Sequence, residues 1–309
     1  MSIDSSPKGG SETVTLVVGS TGTQGGAVAR ELLAHGHLIR LLVRDPETQA
    51  ARRWAKTNAE VMRGDLDDPS SLANAMRGVS AVFSVQVGDP TGGDGEQRQA
   101  KALVSASVQA GVKHFIHSSV AGIEQDPSPN APPSLVKYWA KKLEIEEYVR
   151  NAGFSTWTIL RPAWVMENLL GQTAKFMFPR LPFGELVTVL RPETKLDMVC
   201  AADIAGFARL ALENPSKFHS KIVDLAGDSA TMGQLANSLT GLTGEKVVSV
   251  SLPIADALER GLHPSVVASQ EYRNRVGFQI SIDKLKLYGI PLTTWDQWAA
   301  QNRDYFFAQ

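Results

Sequence analysis

Cysteine is almost missing from this chain. Cys200 stands alone among 309 residues, so no disulfide can form within it, and a reducing, cytoplasmic setting is the natural expectation. A lone cysteine of this kind reads as a small buried apolar residue rather than a catalytic thiol. Long hydrophobic runs are missing too. No stretch approaches the roughly 20 apolar residues of a membrane-spanning helix, so no membrane association is expected. There is no excess of one charge: Lys and Arg number 31, Asp and Glu 32, for a net charge of -1. Without a dense basic stripe, nucleic acid is not an expected partner. No group of His, Cys, Asp and Glu has metal-ligand spacing, and no metal is expected. Internal repeats and low-complexity tracts are lacking. Residues 1–12 are polar and lack the apolar stretch of a secretion signal; they read as a flexible tail.

What is present is a soluble globular composition, 43% hydrophobic, suited to one large domain or two fused lobes. The most informative segment is Val-Thr-Leu-Val-Val-Gly-Ser-Thr-Gly-Thr-Gln-Gly-Gly over residues 14–26. A short apolar strand runs into a glycine loop, and a helical pattern follows at once. Gly19, Gly22 and Gly25 have the spacing G-x-x-G-x-x-G. Glycine lets the chain turn tightly out of the strand and lets backbone approach a diphosphate. The diphosphate would then lie at a helix N-terminus, where free N–H groups and the macrodipole favour negative charge. The segment therefore predicts dinucleotide binding.

Strand patterns at 14–18, 38–43, 60–63, 81–85, 114–117 and 156–160 alternate with helix patterns at 25–35, 48–56, 70–77, 96–110 and 136–151. This alternation predicts an α/β fold with a doubly wound parallel sheet. After Arg161-Pro162 the pattern changes. Residues 168–195 become irregular, with prolines that break regular hydrogen bonding. Helices are predicted again at 201–213 and 232–241, with strands at 221–225 and 246–251. The expected organisation is a dinucleotide-binding domain over 13–165, followed by residues 166–309 as mainly a smaller C-terminal α/β lobe with some segments returning to the first domain. Ligands of such sheets bind outside the carboxyl ends of the strands, so the cleft should lie between the two.

Several residues are placed to carry chemistry. Arg44 ends the second strand, where an arginine can pair with a ribose 2′-phosphate; this favours NADP(H) over NAD(H), with Asp45 as the competing group. Asp65, after the third strand, can meet the adenine or cap the next helix, although Asp68 is better placed for capping. Ser118 and Ser119 end the fifth strand. Tyr138 and Lys142 are four apart on the following helix and share one face. An ammonium beside a tyrosine favours loss of the phenolic proton, and a strand-end serine can polarise a carbonyl. His117 is close enough to be weighed as a ligand contact; His35, His37 and His114 read as structural. Lys137, Lys141, Glu146 and Glu147 read as a solvated helix face. The apolar segment 176–183, with Trp164, suggests either a hydrophobic pocket for a flat or aromatic substrate or the core of the second lobe.

Gly-Ser-Thr-Gly-Thr-Gln-Gly-Gly (19–26), Val-Arg-Asp-Pro (43–46), Gly-Asp-Leu-Asp-Asp (64–68), Lys-Leu-Glu-Ile-Glu-Glu-Tyr (142–148) and Trp-Thr-Ile-Leu-Arg-Pro-Ala-Trp-Val-Met-Glu-Asn-Leu-Leu (157–170) resemble the NmrA-like family of atypical short-chain dehydrogenase/reductases. Thr-Trp-Asp-Gln-Trp (294–298) extends the resemblance nearly to the end. It implies a Rossmann domain binding NADP(H). Gly19, Ser20, Thr21, Gly22, Thr23 and Gln24 would hold the diphosphate and Arg44 the 2′-phosphate. Asp65 and Leu66 would flank the adenine, and Val85 and Gln86 the nicotinamide ribose. Lys142 would touch the cofactor, and Pro162, Ala163 and Trp164 would lie by the nicotinamide. The family includes reductases of small molecules and non-catalytic NADP(H) sensors that control a protein partner. Tyr138 with Lys142 and Ser118 or Ser119 restores the Ser-Tyr-Lys set of active dehydrogenases and points to a reductase with a small-molecule substrate. An oligomer is compatible with either reading.

Overall fold

The computed structural model describes residues 13–88, 93–123 and 131–307. The tail expected over residues 1–12 lies outside the described residues. The strands are β1 (Val14–Val18), β2 (Ile39–Val43), β3 (Glu60–Arg63), β4 (Val79–Ser84), β5 (His114–Ser118), β6 (Thr156–Pro162), β7 (Trp164–Val165), β8 (Glu185–Thr188), β9 (Lys195–Val199), β10 (Lys221–Leu225), β11 (Asp228–Thr231) and β12 (Val248–Ser251). The helices that position the site are α1 (Thr23–Ala34), α2 (Gln49–Arg52), α3 (Pro69–Ala75), α4 (Gly95–Gln109), α5 (Pro133–Arg150), α6 (Gly171–Met177), α7 (Ala201–Glu213), α8 (Pro215–Phe218), α9 (Met232–Thr243), α10 (Ile254–Glu259) and α11 (Pro264–Val276).

Seven strands form one sheet in the order β10-β6-β5-β4-β1-β2-β3, and every pair is parallel. The predicted doubly wound α/β fold is thus the one observed. β1 lies between β2 and β4, with Val18 opposite Leu42 and Val17 opposite Phe83. Strand order reverses there, which opens a crevice at the carboxyl ends of β1 and β4. Alternation along β1 sends side chains to both faces. Val17 joins Leu32, Leu41, Phe83 and Phe207 in the core under α1 and α7. Leu16 and Val18 join Leu72, Leu103, Phe115 and Val149 in the core under α3, α4 and α5. Burying each such side chain contributes roughly 1.5–3 kcal/mol, which makes this sheet a rigid platform.

Element boundaries differ from the expected ones by small amounts, with clear causes. Instead of one helix over 48–56 there is α2 and then a 3₁₀ turn at Arg53–Lys56. The turn buries Trp54 and lets Arg53 donate to the Ser20 carbonyl at 3.0 Å. α5 starts three residues early, because Pro133 suits a first helical turn. Glu146 is not solvated as the helix pattern suggested. It is fully buried and receives both a 2.9 Å and a 2.6 Å bond from the buried Arg161, a bidentate pair that ties α5 to β6.

In the second half, β7, β9 and β11 make a small mixed sheet and β8 pairs with β12. Met166, Phe178, Leu196, Trp295 and Trp298 pack a separate core there. Glu167 fastens this part to the large sheet: its carboxylate accepts from the Ala201 N–H at the start of α7 and from Trp298 Nε1. Burial raises the carboxyl above its ordinary value, and those hydrogen bonds hold the rise in check. Among the described residues no helix is long and apolar enough to cross a membrane.

Candidate active site

The glycine loop is dictated by backbone sterics. Gly19 has φ +73°, and a Cβ on it would come within 2.9 Å of Val85 Cγ1. A Cβ on Gly25 would lie 2.4 Å from the Gly19 carbonyl and from the Val18 oxygen, a contact no side chain survives. The Gly22 N–H closes the turn on the Gly19 carbonyl at 2.9 Å. α1 begins at Thr23, two residues before the predicted start. Its N-cap, Gly22, has no capping side chain, and the first turn holds no acid. The N–H groups of Thr23, Gln24 and Gly25 therefore have no intrahelical partner. They open onto the crevice as a positive, hydrogen-bond-donating end.

That crevice is a cavity of about 890 Å³, at the upper end of small-molecule sites, which run from ~300 to ~1,000 Å³. Gly19, Thr21, Gly22, Thr23, Gln24 and Gly25 border it at the loop, and Arg44, Asp65 and Leu66 border one end. Val85, Gln86, Ser118, Ser119, Tyr138, Lys142, Pro162, Ala163 and Trp164 border the rest. Ser20 is the exception among the predicted residues. It is fully buried and does not border the cavity, because the loop turns its side chain inward; only its carbonyl is used, by Arg53. Arg44 is exposed and makes no ion pair among the described residues. Its competitor Asp45 does not border the cavity and closes a turn, accepting from the Glu47 N–H at 2.9 Å. Asp68, not Asp65, caps α3, accepting from the Ser70 N–H. The donor set therefore fits a nicotinamide dinucleotide: unpaired first-turn N–H groups at the loop and an unpaired guanidinium just after β2.

Tyr138 and Lys142 face the same cavity, one helical turn apart on α5. The Lys142 ammonium lies 5.5 Å from the Tyr138 ring centroid. Tyr138 is 36% exposed, whereas Lys142 is 5% exposed. A partner not legible in the sequence is Glu96, 3% exposed at the start of α4, which receives a hydrogen bond from Lys142 Nζ. Burial alone would lower the Lys142 pKa, but Tyr138, Glu96 and Glu146 together raise it above the ordinary lysine value. Lys142 is thus a fixed cation. The two serines differ. Ser118 Oγ donates to Gln24 Oε1 at 2.6 Å, which ties β5 to the glycine loop. Ser119 Oγ has no partner among the described residues. His117 is buried beneath the site, does not border the cavity, and meets Ser84 Oγ at 3.2 Å. Burial and the nearby Lys142 charge lower its pKa to about 3, so it stays neutral. Cys200 is buried, and burial with the Asp203 charge raises its thiol to about 12, which leaves it protonated and unreactive.

The far wall was not read from the sequence. Leu135 and Trp139 from α5, Asn168 after β7, and Ser269, Arg273 and Phe278 in and after α11 border the cavity. Periodicity could have placed Ser269 and Arg273 on one helix face, but nothing local says that this helix packs against α5. The segment 176–183 does not border the cavity. Phe178 and Leu181 are lobe core, Phe183 lies under the Arg180 guanidinium, and Phe178 meets Trp164 edge-on at 6.0 Å. Of the two alternatives, lobe core holds for Phe178 and Leu181, whereas Phe176 and Phe183 are exposed and serve neither. Among the described residues no cluster of three or more His, Cys, Asp or Glu could hold a metal ion.

A family model described as "NmrA-like family" matches residues 11–299. An NAD(P)H azoreductase of Xenophilus azovorans is 32% identical over 243 residues, covering 78% of each chain. In structure, the chain is similar to the Citrobacter triphenylmethane reductase solved with NADP(H), with a TM-score of 0.76, 22% identity and coverage of 94% of this chain and 99% of that one. It is similar also to NmrA, a negative transcriptional regulator solved with NADP, with a TM-score of 0.73, 19% identity and coverage of 94% and 95%. At these identities the structural likeness is one of fold.

Proposed function

The chain belongs to the NmrA-like family, and from that membership we propose that it is an NADPH-dependent reductase of a small, apolar or aromatic carbonyl, quinone or enone. The general reading, an NAD(P)H-dependent reductase, has the support of an azoreductase relative that the chain matches over most of its length. One observation carries the finer reading: Tyr138 and Lys142 face a single cavity together with the glycine loop. In this proposal residues 13–165 form the dinucleotide-binding domain, and residues 166–309 supply mainly the substrate lobe.

Gly19, Thr21, Gly22, Thr23, Gln24 and Gly25 would hold the diphosphate, and Arg44 the 2′-phosphate. Asp65 and Leu66 would flank the adenine. Val85, Gln86, Pro162, Ala163 and Trp164 would enclose the nicotinamide end. The bound NADPH would supply a hydride. The chain's own residues do the rest. Tyr138 gives its phenolic proton to the acceptor oxygen, and the fixed charge of Lys142 offsets the phenolate left behind. Lys142 has three N–H donors, one of which goes to Glu96; the others are available to ribose hydroxyls. Ser119, whose hydroxyl is uncommitted, orients the acceptor, while Ser118 holds Gln24 in place. Trp139, Trp164 and Phe278 give the cavity flat apolar walls.

The test is NADPH oxidation, with NADH in parallel, against a panel of quinones, aldehydes, ketones and enones, comparing wild type with Tyr138→Phe. The expected loss in kcat is about 10²–10⁴-fold, the usual contribution of a positioned acid. Turnover that survives the substitution would remove Tyr138 from the mechanism. No turnover across the panel, with tight NADPH binding in the same samples, would overturn the reductase and favour an NADP(H)-binding regulator of a protein partner.

A further inference from the structure

α11 has two working faces. On one, Gln270 and Asn274 fasten the helix to the strand-rich lobe: Gln270 Oε1 accepts from the Val189 N–H at 2.9 Å, and Asn274 Nδ2 donates to the Val189 carbonyl at 2.8 Å. On the adjacent face, Ser269 and Arg273, four residues apart, border the cavity. The anchoring of the helix to that lobe therefore does not need the arginine.

Arg273 is 6% exposed, and no carboxylate forms an ion pair with it among the described residues. Its Nη1 donates to the Gly277 carbonyl at 2.8 Å and its Nη2 to the Ala121 carbonyl at 3.3 Å. Nε has no partner among the described residues. A guanidinium carries five N–H donors; Nε is shut off from solvent, so the capacity left for a ligand is the second N–H on each terminal nitrogen. Its central carbon lies 3.7 Å from the Phe278 ring centroid. On the other side the chain makes room for it: a Cβ on Gly122 would stand 2.6 and 2.8 Å from the two terminal nitrogens. Burial lowers its pKa to about 10, while Tyr272 and the Asp197 carboxylate act to raise it; it remains fully charged at neutral pH. Two carbonyls could be bridged by a neutral amide at far smaller desolvation cost, because taking a charge out of water costs more than taking out a neutral polar group.

We propose that Arg273 recognises an oxyanion substituent, a carboxylate or sulfonate, on a flat conjugated substrate. Arg273 borders the same cavity as Tyr138 and the aromatic walls, so one ligand can engage both the arginine and the phenol. This rests on the reductase reading for the identity of the ligand as a substrate; the anion site itself stands on the geometry of Arg273.

Two measurements test it. The first compares kcat/KM for 1,4-naphthoquinone-2-sulfonate and 1,4-naphthoquinone in wild type, Arg273→Gln and Arg273→Lys, with NADPH. The expected result is that the sulfonate-to-neutral ratio falls at least ten-fold in Arg273→Gln, mainly through KM, and is partly retained in Arg273→Lys. An unchanged ratio would overturn the proposal, even if both activities fell, since that is what a purely structural arginine predicts. The second needs no variant: binding of naphthalene-2-sulfonate and 2-naphthol to the NADP⁺-loaded wild type, followed by tryptophan fluorescence. The sulfonate should bind at least ten-fold more tightly; equal affinities would sink the proposal. Tight sulfonate binding with no quinone turnover would reject the reductase reading and keep the anion site.

Discussion

The two ends of the cavity are built by opposite means. The glycine-loop end is made of backbone from one contiguous segment, Gly19–Gly25, with its shape fixed by contacts that forbid a Cβ at Gly19 and Gly25. The opposite end is made of side chains from α5, the segment after β6, and α11, the last about a hundred residues or more from the other two. The first is over-determined locally and tolerates no change. The second depends on how separate elements dock, and it can be altered piece by piece without dismantling the fold. Lys142 and Glu96 lie between the two ends and join α5 to α4.

The difference can be broken most sharply at the loop. Gly25→Ala would set a methyl group 2.4 Å from main-chain atoms of Gly19 and Val18. The strand and helix must separate to admit it, so NADPH binding by titration calorimetry should be lost outright, with a stability cost at or above the ~1–3 kcal/mol of ordinary overpacking. An Ala variant with wild-type affinity would show the loop to be far softer than its geometry implies.

The junction comes next. Glu96→Gln leaves the Lys142 ammonium buried without its counter-charge. Urea denaturation should show a loss of about 3–5 kcal/mol, the usual cost of breaking a buried pair from one side. Glu96→Gln with Lys142→Met should recover much of that loss while leaving the enzyme inactive. A double variant no more stable than the single one would mean that Glu96 acts through something other than this pair.

The smallest effect is beneath the site. His117 titrates near 3 in the fold because of burial and the Lys142 charge, against about 6.5 in an unfolded chain. A lowered histidine pKa means that the unfolded state binds the extra proton. The stability His117 contributes is therefore present above pH 6.5 and is lost progressively as pH falls from 6.5 toward 3, at about 1.4 kcal/mol per unit. Wild type should be less stable at pH 5.5 than at pH 7 by an increment that His117→Gln abolishes. An equal decline in both proteins would place the acid sensitivity elsewhere.

Legibility followed the same division. The alternation of apolar runs and amphipathic stretches announced the parallel sheet, because strands buried on both faces and helices covering them have distinct periods. The glycine spacing, Arg44 at the end of β2, and Tyr138 with Lys142 on one helix face were all readable because each depends on neighbours within a few residues. Ser20 was misplaced because its position in the motif says nothing of which way its side chain turns. Glu146 looked like a surface residue because helix pattern alone does not show that Arg161 lies opposite. In the 176–183 segment Phe178 and Leu181 serve their own lobe's core rather than the cavity.

The sequence by itself therefore determined the sheet, the glycine loop and the Tyr-Lys face, since backbone sterics and side-chain periodicity act over short stretches of chain. Only the tertiary structure decided that Glu96 would hold Lys142, that Ser118 would be tied to Gln24 while Ser119 stayed uncommitted, and that α11 would carry Arg273 to the cavity. Those contacts join positions 46, 94 and 152 residues apart, and they exist only once the helices have docked on the sheet and fixed which polar groups are buried together.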